Sequence, residues 1–195
     1  MRSILSRLLS GLILRIGRYR LVNEAPDEPV MVLVAAPHTS NWDFPLMLAM
    51  AWKAGLSPKW LGKKQMFVGP LAPLYRAIGG IAVDRESPGS LVADIAAQAR
   101  STSSLALVVP AEGTRSKGEY WKSGFFRIAR DAGVPIALCY LDGPTRTGGF
   151  GPTIDPSIGV EGVMDQVREF YADKGGVKPV NKTEPRLREE DTTTD

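Results

Sequence analysis

Residues 30–43 read Val30-Met31-Val32-Leu33-Val34-Ala35-Ala36-Pro37-His38-Thr39-Ser40-Asn41-Trp42-Asp43. The first seven form a short, unbroken apolar run. Such a run reads as a strand buried on both faces, as inside a parallel sheet. A polar, turn-forming stretch follows. Leu46 to Ala54 then has helical composition, with Pro45 suited to its first turn and Gly55 to its end. Moving outward, Lys59–Gly62 reads as a strand, Leu71–Ile78 as a short helix and Ile81–Val83 as a strand. Pro88–Arg100 reads as a helix, with Leu91, Ile95 and Ala99 four residues apart. Leu105–Val109 is another buried strand, Ser123–Ala132 a helix stopped by Gly133, and Pro135–Leu141 a strand. Strand and helix alternate throughout. The expectation is an α/β domain with a mostly parallel central sheet flanked by helices.

The flanks read differently. From Asp142 to Gly159 the chain is rich in Gly and Pro, and no strand is predicted there. Val160–Asp173 reads as a last helix. Beyond Lys174 the sequence is polar and charged, and reads as a loose tail. No internal repeat is visible. The expected organisation is a helix at a membrane surface over residues 1–20, one α/β domain over 21–175 and a polar tail over 176–195.

The N-terminal segment places Leu5, Leu8, Leu9, Leu12, Ile13 and Ile16 at three- and four-residue spacing, on one helical face. Arg7, Arg15 and Arg18 read as the opposite face. A basic amphipathic helix of this kind suits an anionic membrane surface. The competing reading packs the same leucines on the domain core.

Composition narrows the class. A chain of 195 residues has room for one domain with a real core. Its apolar fraction of 44% and charged fraction of 23% are those of a globular protein. The net charge of +3 is too small to indicate a nucleic-acid partner. The charge is unevenly spread, however. Arg2, Arg7, Arg15, Arg18 and Arg20 precede the first acidic residue, Glu24, whereas Glu184, Glu189, Glu190, Asp191 and Asp195 crowd the end. Cys139 is the only cysteine, so no intramolecular disulfide forms, which fits a cytosol-facing location. It sits mid-strand and reads as an inert core residue. One cysteine and one histidine leave few ligands for zinc. No apolar run reaches the roughly 18–20 residues of a spanning helix. The basic start lacks a small-residue cleavage site, so it does not read as a signal peptide.

Ligands of open α/β sheets bind beyond the carboxyl ends of the strands. Three motifs fall at such ends: His38-Thr-Ser-Asn-Trp-Asp43, Asp84-Arg85 and Glu112-Gly-Thr-Arg115. His38 is the only side chain of a type that titrates near neutrality, so it is the candidate general base. Asp43 lies five residues on, about 140° around a continuous helix. The two meet only if residues 39–42 turn, which Ser40 and Asn41 favour. Asp43 then orients the imidazole as the carboxylate of a hydrolase triad does. The competing reading makes Asp43 a helix cap before Pro45 and His38 a loop residue.

The motifs, taken together, resemble the glycerol-phosphate and lysophospholipid acyltransferase family. His38-x-x-x-x-Asp43 looks like its first block, Gly80-Ile81-Ala82-Val83-Asp84-Arg85 its middle block, Glu112-Gly113-Thr114-Arg115-Ser116 its Glu-Gly-Thr-Arg-Ser block and Val134-Pro135-Ile136 its last. Lys63-Lys64-Gln65-Met66-Phe67 resembles the lysine-bearing segment after the first block. The resemblance covers roughly Val30 to Leu141. One departure stands out: the family usually has Pro directly before the Glu, whereas here Ala111 separates Pro110 from Glu112.

The resemblance implies transfer of an acyl group from a thioester on coenzyme A or acyl carrier protein to a hydroxyl of a lysophospholipid or glycerol phosphate. It implies no further cofactor, and a peripheral site on the cytoplasmic face of the membrane. His38 is then the base and Asp43 its partner. Arg85 and Arg115 are implied as phosphate ligands, against surface ion pairing. Glu112 is implied to accept hydrogen bonds from acceptor hydroxyls or to hold the arginines, against a solvated loop carboxylate. Gly113 and Thr114 shape the loop, and Lys64 adds charge or is plain surface. Trp42 and Phe44 read as core packing ahead of acyl-chain contacts, and Ser40 as a turn residue. Two other functions remain open from the residues alone. One is a metal-dependent phosphohydrolase gathering His38, Asp43, Asp84 and Glu112 on an ion. The other is a non-enzymatic lipid-binding adaptor built on the N-terminal helix.

Overall fold

A computed structural model of the chain describes residues 4–83 and 88–192. Its elements, in order, are α1 (Ile4–Gly17), β1 (Arg20–Leu21), β2 (Val30–Ala35), α2 (Asp43–Lys53), β3 (Pro58–Lys63), α3 (Ala72–Ala77), β4 (Gly80–Val83), α4 (Pro88–Arg100), β5 (Leu105–Pro110), α5 (Gly124–Ala132), β6 (Ile136–Asp142), β7 (Thr147–Ile154) and α6 (Gly159–Tyr171). The strands form one seven-stranded sheet in the order β1-β7-β6-β2-β5-β3-β4. From β6 to β4 every pairing is parallel; β7 runs antiparallel to β6, and β1 is parallel to β7. This is the expected α/β architecture, with an antiparallel margin added.

The apolar run at Val30–Ala35 lies between β5 and β6, and its central four residues are buried. Alternate side chains point to opposite faces. Val32 and Val34 join a cluster with Ile95, Leu107, Phe125, Ile136 and Met164, beneath α4, α5 and α6. Met31 and Leu33 join Ala106, Val108 and Phe150 on the other face, which α2 covers through Met47. Truncating a side chain as buried as Leu33 costs about 2–5 kcal/mol. A continuous apolar run, rather than an alternating one, is what burial on both faces demands.

β7 falls where the sequence predicts no strand. Its run Thr-Gly-Gly-Phe-Gly-Pro-Thr-Ile has little strand propensity, yet it pairs with β6 along most of its length. Space explains Gly148: a Cβ there lies 2.8 Å from Met50 Cε and 3.0 Å from the Tyr140 carbonyl oxygen.

The segment after Lys174 is not the loose tail expected. It folds back over the domain, burying Thr183 and Leu187, and Leu187 bridges to Trp121 in a one-residue parallel ladder. Its charges are used in pairing: Arg168 binds Glu190 at 2.7 Å, and Tyr120 donates to Asp191 at 2.7 Å.

α1 packs on α2 through a narrow stripe. Leu14 and Ser10 are buried, Ile13 is half-buried, and a Cβ at Gly17 lies 3.0 Å from Leu46. Ile4, Leu5, Leu8, Leu9, Leu12 and Ile16 face outward, with Leu8 and Ile16 each 67% exposed. The core-packing reading of these leucines is thereby overturned; one side of the helix packs and the leucine side is left uncovered. No helix among the described residues is long and apolar enough to cross a membrane.

Candidate active site

The carboxyl end of β2 delivers Pro37 and His38 into a tight turn that ends where α2 begins. Asp43 is the first residue of α2, Trp42 its N-cap and Pro45 part of its first turn. One oxygen of Asp43, Oδ2, accepts hydrogen bonds from the main-chain N–H of Thr39 at 2.6 Å and of Ser40 at 2.7 Å. The same Oδ2 stands 3.1 Å from His38 Nδ1. Ser40 Oγ accepts from the Trp42 N–H at 3.2 Å, the turn role expected of it. Asp43 therefore closes the turn and faces the imidazole at once; it is not the helix cap of the competing reading, because Trp42 holds that position and the carboxylate points back to the N–H groups before the helix. With Nδ1 facing Asp43, the ring presents Nε2 as its proton acceptor. The His38 side chain is 17% exposed, enough to be reached from outside.

The neighbouring strand supplies the next group. β5 ends at Pro110, and Ala111, fully buried, occupies the extra position before Glu112. Glu112 is itself 2% exposed, so it is not the solvated loop carboxylate of the competing reading. Its Oε2 accepts the main-chain N–H of His38 at 2.9 Å. Burial pushes its carboxyl up to about 7; the N–H groups of His38 and Thr183 pull it down, and the Asp43 charge adds to the rise. Glu112 Oε1 and Asp43 Oδ1 are both buried without a hydrogen bond among the described residues. Each of the two carboxylates that bind the His38 turn thus keeps one buried acceptor oxygen unfilled.

Gly113 turns the chain outward with φ +69°, a conformation that suits glycine. Thr114 and Arg115 are exposed beyond it, and Thr114 Oγ1 pairs with Ser116 Oγ at 3.1 Å. Among the described residues Arg115 makes no ion pair, and none of the described arginines pairs with Glu112. Lys64 is exposed in a short 3-10 turn at the carboxyl end of β3, two strands from β2. It shares the sheet edge with His38. Arg85 and Asp84 lie outside the described residues.

Of the two aromatics, Phe44 packs edge-on against Trp60 with centroids 4.7 Å apart, as expected. Trp42 does not: it is 60% exposed, projecting from the N-cap of α2 beside the site. The Cys139 thiol donates to the Val34 carbonyl at 3.3 Å, and burial pushes it up to about 12, which keeps it protonated and inert. Among the described residues no three His, Cys, Asp or Glu side chains gather as metal ligands do.

Sequence reasoning missed the C-terminal segment. The Lys178 N–H donates to Thr39 Oγ1 at 2.9 Å, and Asn181 Nδ2 donates to the Thr39 carbonyl at 3.0 Å. The only signal for this return was a lone leucine, Leu187, in a charged stretch.

Comparison with known proteins bears on the family and the fold. Residues 21–141 match the family model described as Acyltransferase. Among solved structures, the crystal structure of the 1-acyl-sn-glycerophosphate (LPA) acyltransferase PlsC from Thermotoga maritima has the same fold, with a TM-score of 0.56. It is 19% identical, and the match covers 89% of this chain and 80% of that one. Among curated proteins none matches the sequence.

Proposed function

The chain belongs to the acyltransferase family, and from that premise we propose that it moves a fatty acyl group from a thioester to a hydroxyl of a glycerol-phosphate-type lipid. The donor is an acyl group on coenzyme A or acyl carrier protein, and the acceptor a lysophospholipid or glycerol phosphate. The observation that carries this reading is the His38 Nδ1–Asp43 Oδ2 pair at 3.1 Å, placed at the carboxyl end of a central parallel strand with Glu112 alongside.

His38 Nε2 accepts the proton of the acceptor hydroxyl as that oxygen attacks the thioester carbonyl carbon. Asp43 holds the ring with Nδ1–H toward the carboxylate and stabilises the imidazolium. The tetrahedral intermediate collapses with cleavage of the C–S bond, and the imidazolium returns its proton to the departing thiolate. The inert Cys139 fits a direct transfer without an acyl-enzyme. Glu112 Oε1, buried and unfilled, accepts from a second hydroxyl where the acceptor, like glycerol phosphate, carries one. Arg115 and Arg85 bind the acceptor phosphate through bidentate contacts, and Lys64 adds positive charge at the rim. Gly113 and Thr114 set the loop that carries Arg115.

A lysophospholipid acceptor and the acylated product lie in the membrane, and α1 offers a surface that meets it. The outward stripe of Ile4, Leu5, Leu8, Leu12 and Ile16 enters the interface while Arg7 and Arg15 meet anionic headgroups. The protein then works as a peripheral enzyme on the cytoplasmic face. The test is to incubate the protein with long-chain acyl-coenzyme A or acyl carrier protein and a panel of lysolipids and glycerol phosphate. The acylated product is identified by mass spectrometry. One acceptor is acylated, with no loss on adding a chelator. Release of inorganic phosphate without thioester consumption, abolished by chelation, overturns the reading in favour of a phosphohydrolase. Lipid binding with no turnover of any pair overturns it in favour of an adaptor.

A further inference from the structure

The family match ends at residue 141, yet the polypeptide that grips the catalytic turn comes from beyond it. Asp142, buried at the end of β6, starts this return: its Oδ1 accepts the Gly175 N–H at 2.8 Å, and the Gly143 N–H donates to the Gly176 carbonyl at 2.8 Å. Gly176, at φ +70°, brings the backbone hard against the turn; a Cβ there lies 2.8 Å from Thr39 Oγ1 and 3.0 Å from Pro37 Cβ. Thr39 is then held by the main chain of Lys178 and the side chain of Asn181, while its own N–H is committed to Asp43. Two residues on, the buried Thr183 brings its N–H close enough to Glu112 to pull that carboxyl down. Thr183 is fixed in turn by the Trp121 indole N–H, which donates to its carbonyl at 3.1 Å, and by the Gly118 N–H, which donates to its hydroxyl at 2.9 Å.

Resting on the acyl-transfer reading, we propose that the strap Gly176–Thr183 is part of the catalytic apparatus, with Asn181 as the positioning residue that sets the His38–Asp43 turn. Thr39 is the point of control, because it sits between His38 and the oxygen that faces the imidazole. Its carbonyl and hydroxyl take the strap's hydrogen bonds to that turn. Losing the Asn181 amide frees the Thr39 carbonyl and lets the peptide between Thr39 and Ser40 rotate. That displaces Ser40 N–H from Asp43 Oδ2 and turns the carboxylate away from the ring. Asn181 touches Thr39 and not the reacting atoms, so it acts through the turn. A displacement of about 1 Å in such a dyad is worth up to about 100-fold in rate.

The chain's single histidine makes this measurable without an activity assay, since one imidazole resonance reports on His38 alone. We would compare wild type, Asn181→Ala and Asn181→Leu by NMR of the His38 ring and by steady-state kinetics, with thermal unfolding as the check on folding. The expected result is a kcat lowered about 10- to 100-fold, KM changed less than about two-fold, and shifted His38 ring resonances as the carboxylate turns away. Both variants should behave alike, because neither side chain can donate to the Thr39 carbonyl. If Asn181→Ala does not fold, Thr39→Val, which removes the acceptor for Lys178, gives the same three readouts from the opposite side. A folded variant with unchanged His38 ring resonances and near-wild-type kcat shows that the strap only holds the fold together, and overturns the proposal. Shifted resonances in a protein that acylates no acceptor support the strap's role while sinking the acyl-transfer reading, so the two failures are distinct.

Discussion

Replacing Glu112 by glutamine should change how stability depends on pH more than it changes stability itself. The carboxyl is buried at 2% exposure, and burial raises it from 4.5 to about 7. A group raised in the folded state is bound to its proton more tightly there than in the unfolded chain. Its favourable contribution is therefore complete below about pH 4.5 and is lost as pH climbs through about 7. At about 1.4 kcal/mol for each unit of the rise, the loss comes to about 3 kcal/mol. The amide of the Glu112→Gln variant carries no charge and escapes it. Urea denaturation of wild type and Glu112→Gln from about pH 4 to about pH 8.5 reads this directly. The difference in unfolding free energy should move in favour of the variant by about 3 kcal/mol across that range. Most of the change should fall between about pH 5 and about pH 7.5. A difference that is flat with pH refutes the argument, because it means Glu112 is ionised in both states and the pocket is wetter than its burial implies.

Other outcomes follow from the same geometry. Asp43→Asn keeps an oxygen for the Thr39 and Ser40 N–H groups but presents the wrong partner to the ring, so kcat should fall on the order of 10³–10⁴-fold with the fold retained. Asp43→Ala strands both N–H groups and should cost about 2–4 kcal/mol in denaturant unfolding as well. Leu8→Glu with Leu12→Glu, on the exposed face of α1, should abolish binding to anionic vesicles in a sedimentation assay while moving stability by less than about 0.5 kcal/mol. Leu14→Ala, on the packed face, should instead cost about 2–3 kcal/mol of stability. Cys139→Ala should keep kcat/KM within about two-fold, and alkylating reagents at about pH 8 should not inhibit the wild type, because the thiol is held protonated.

What the sequence showed and what it hid divide along physical lines. Buried parallel strands announce themselves as continuous apolar runs, which is why β2, β5 and β6 were legible nearly residue by residue. Helices α4 and α5 were legible from Pro88 at one start and Gly133 at the other end. The His38 turn was legible only in part: Ser40 and Asn41 favour a turn, but the spacing to Asp43 alone left the cap reading open. β7 was hidden because its glycines answer to neighbours distant in sequence, Met50 and Tyr140 among them, and carry no local signal. The strap was hidden for a related reason. Its hold on Thr39 uses a main-chain N–H and one asparagine amide, and no periodic pattern marks such contacts. Trp42 misled because an aromatic next to a buried strand is usually packed, whereas here the N-cap position points it outward.

The most direct test of the account compares free-thiol release from long-chain acyl-coenzyme A by wild type and His38→Ala, with and without the acceptor that the mass-spectrometric panel identifies. Release by the wild type should depend on the acceptor and match the acylated product mole for mole, and it should fall at least about 10³-fold in the variant. Equal release by both proteins would show that His38 is not the base and contradict the central claim.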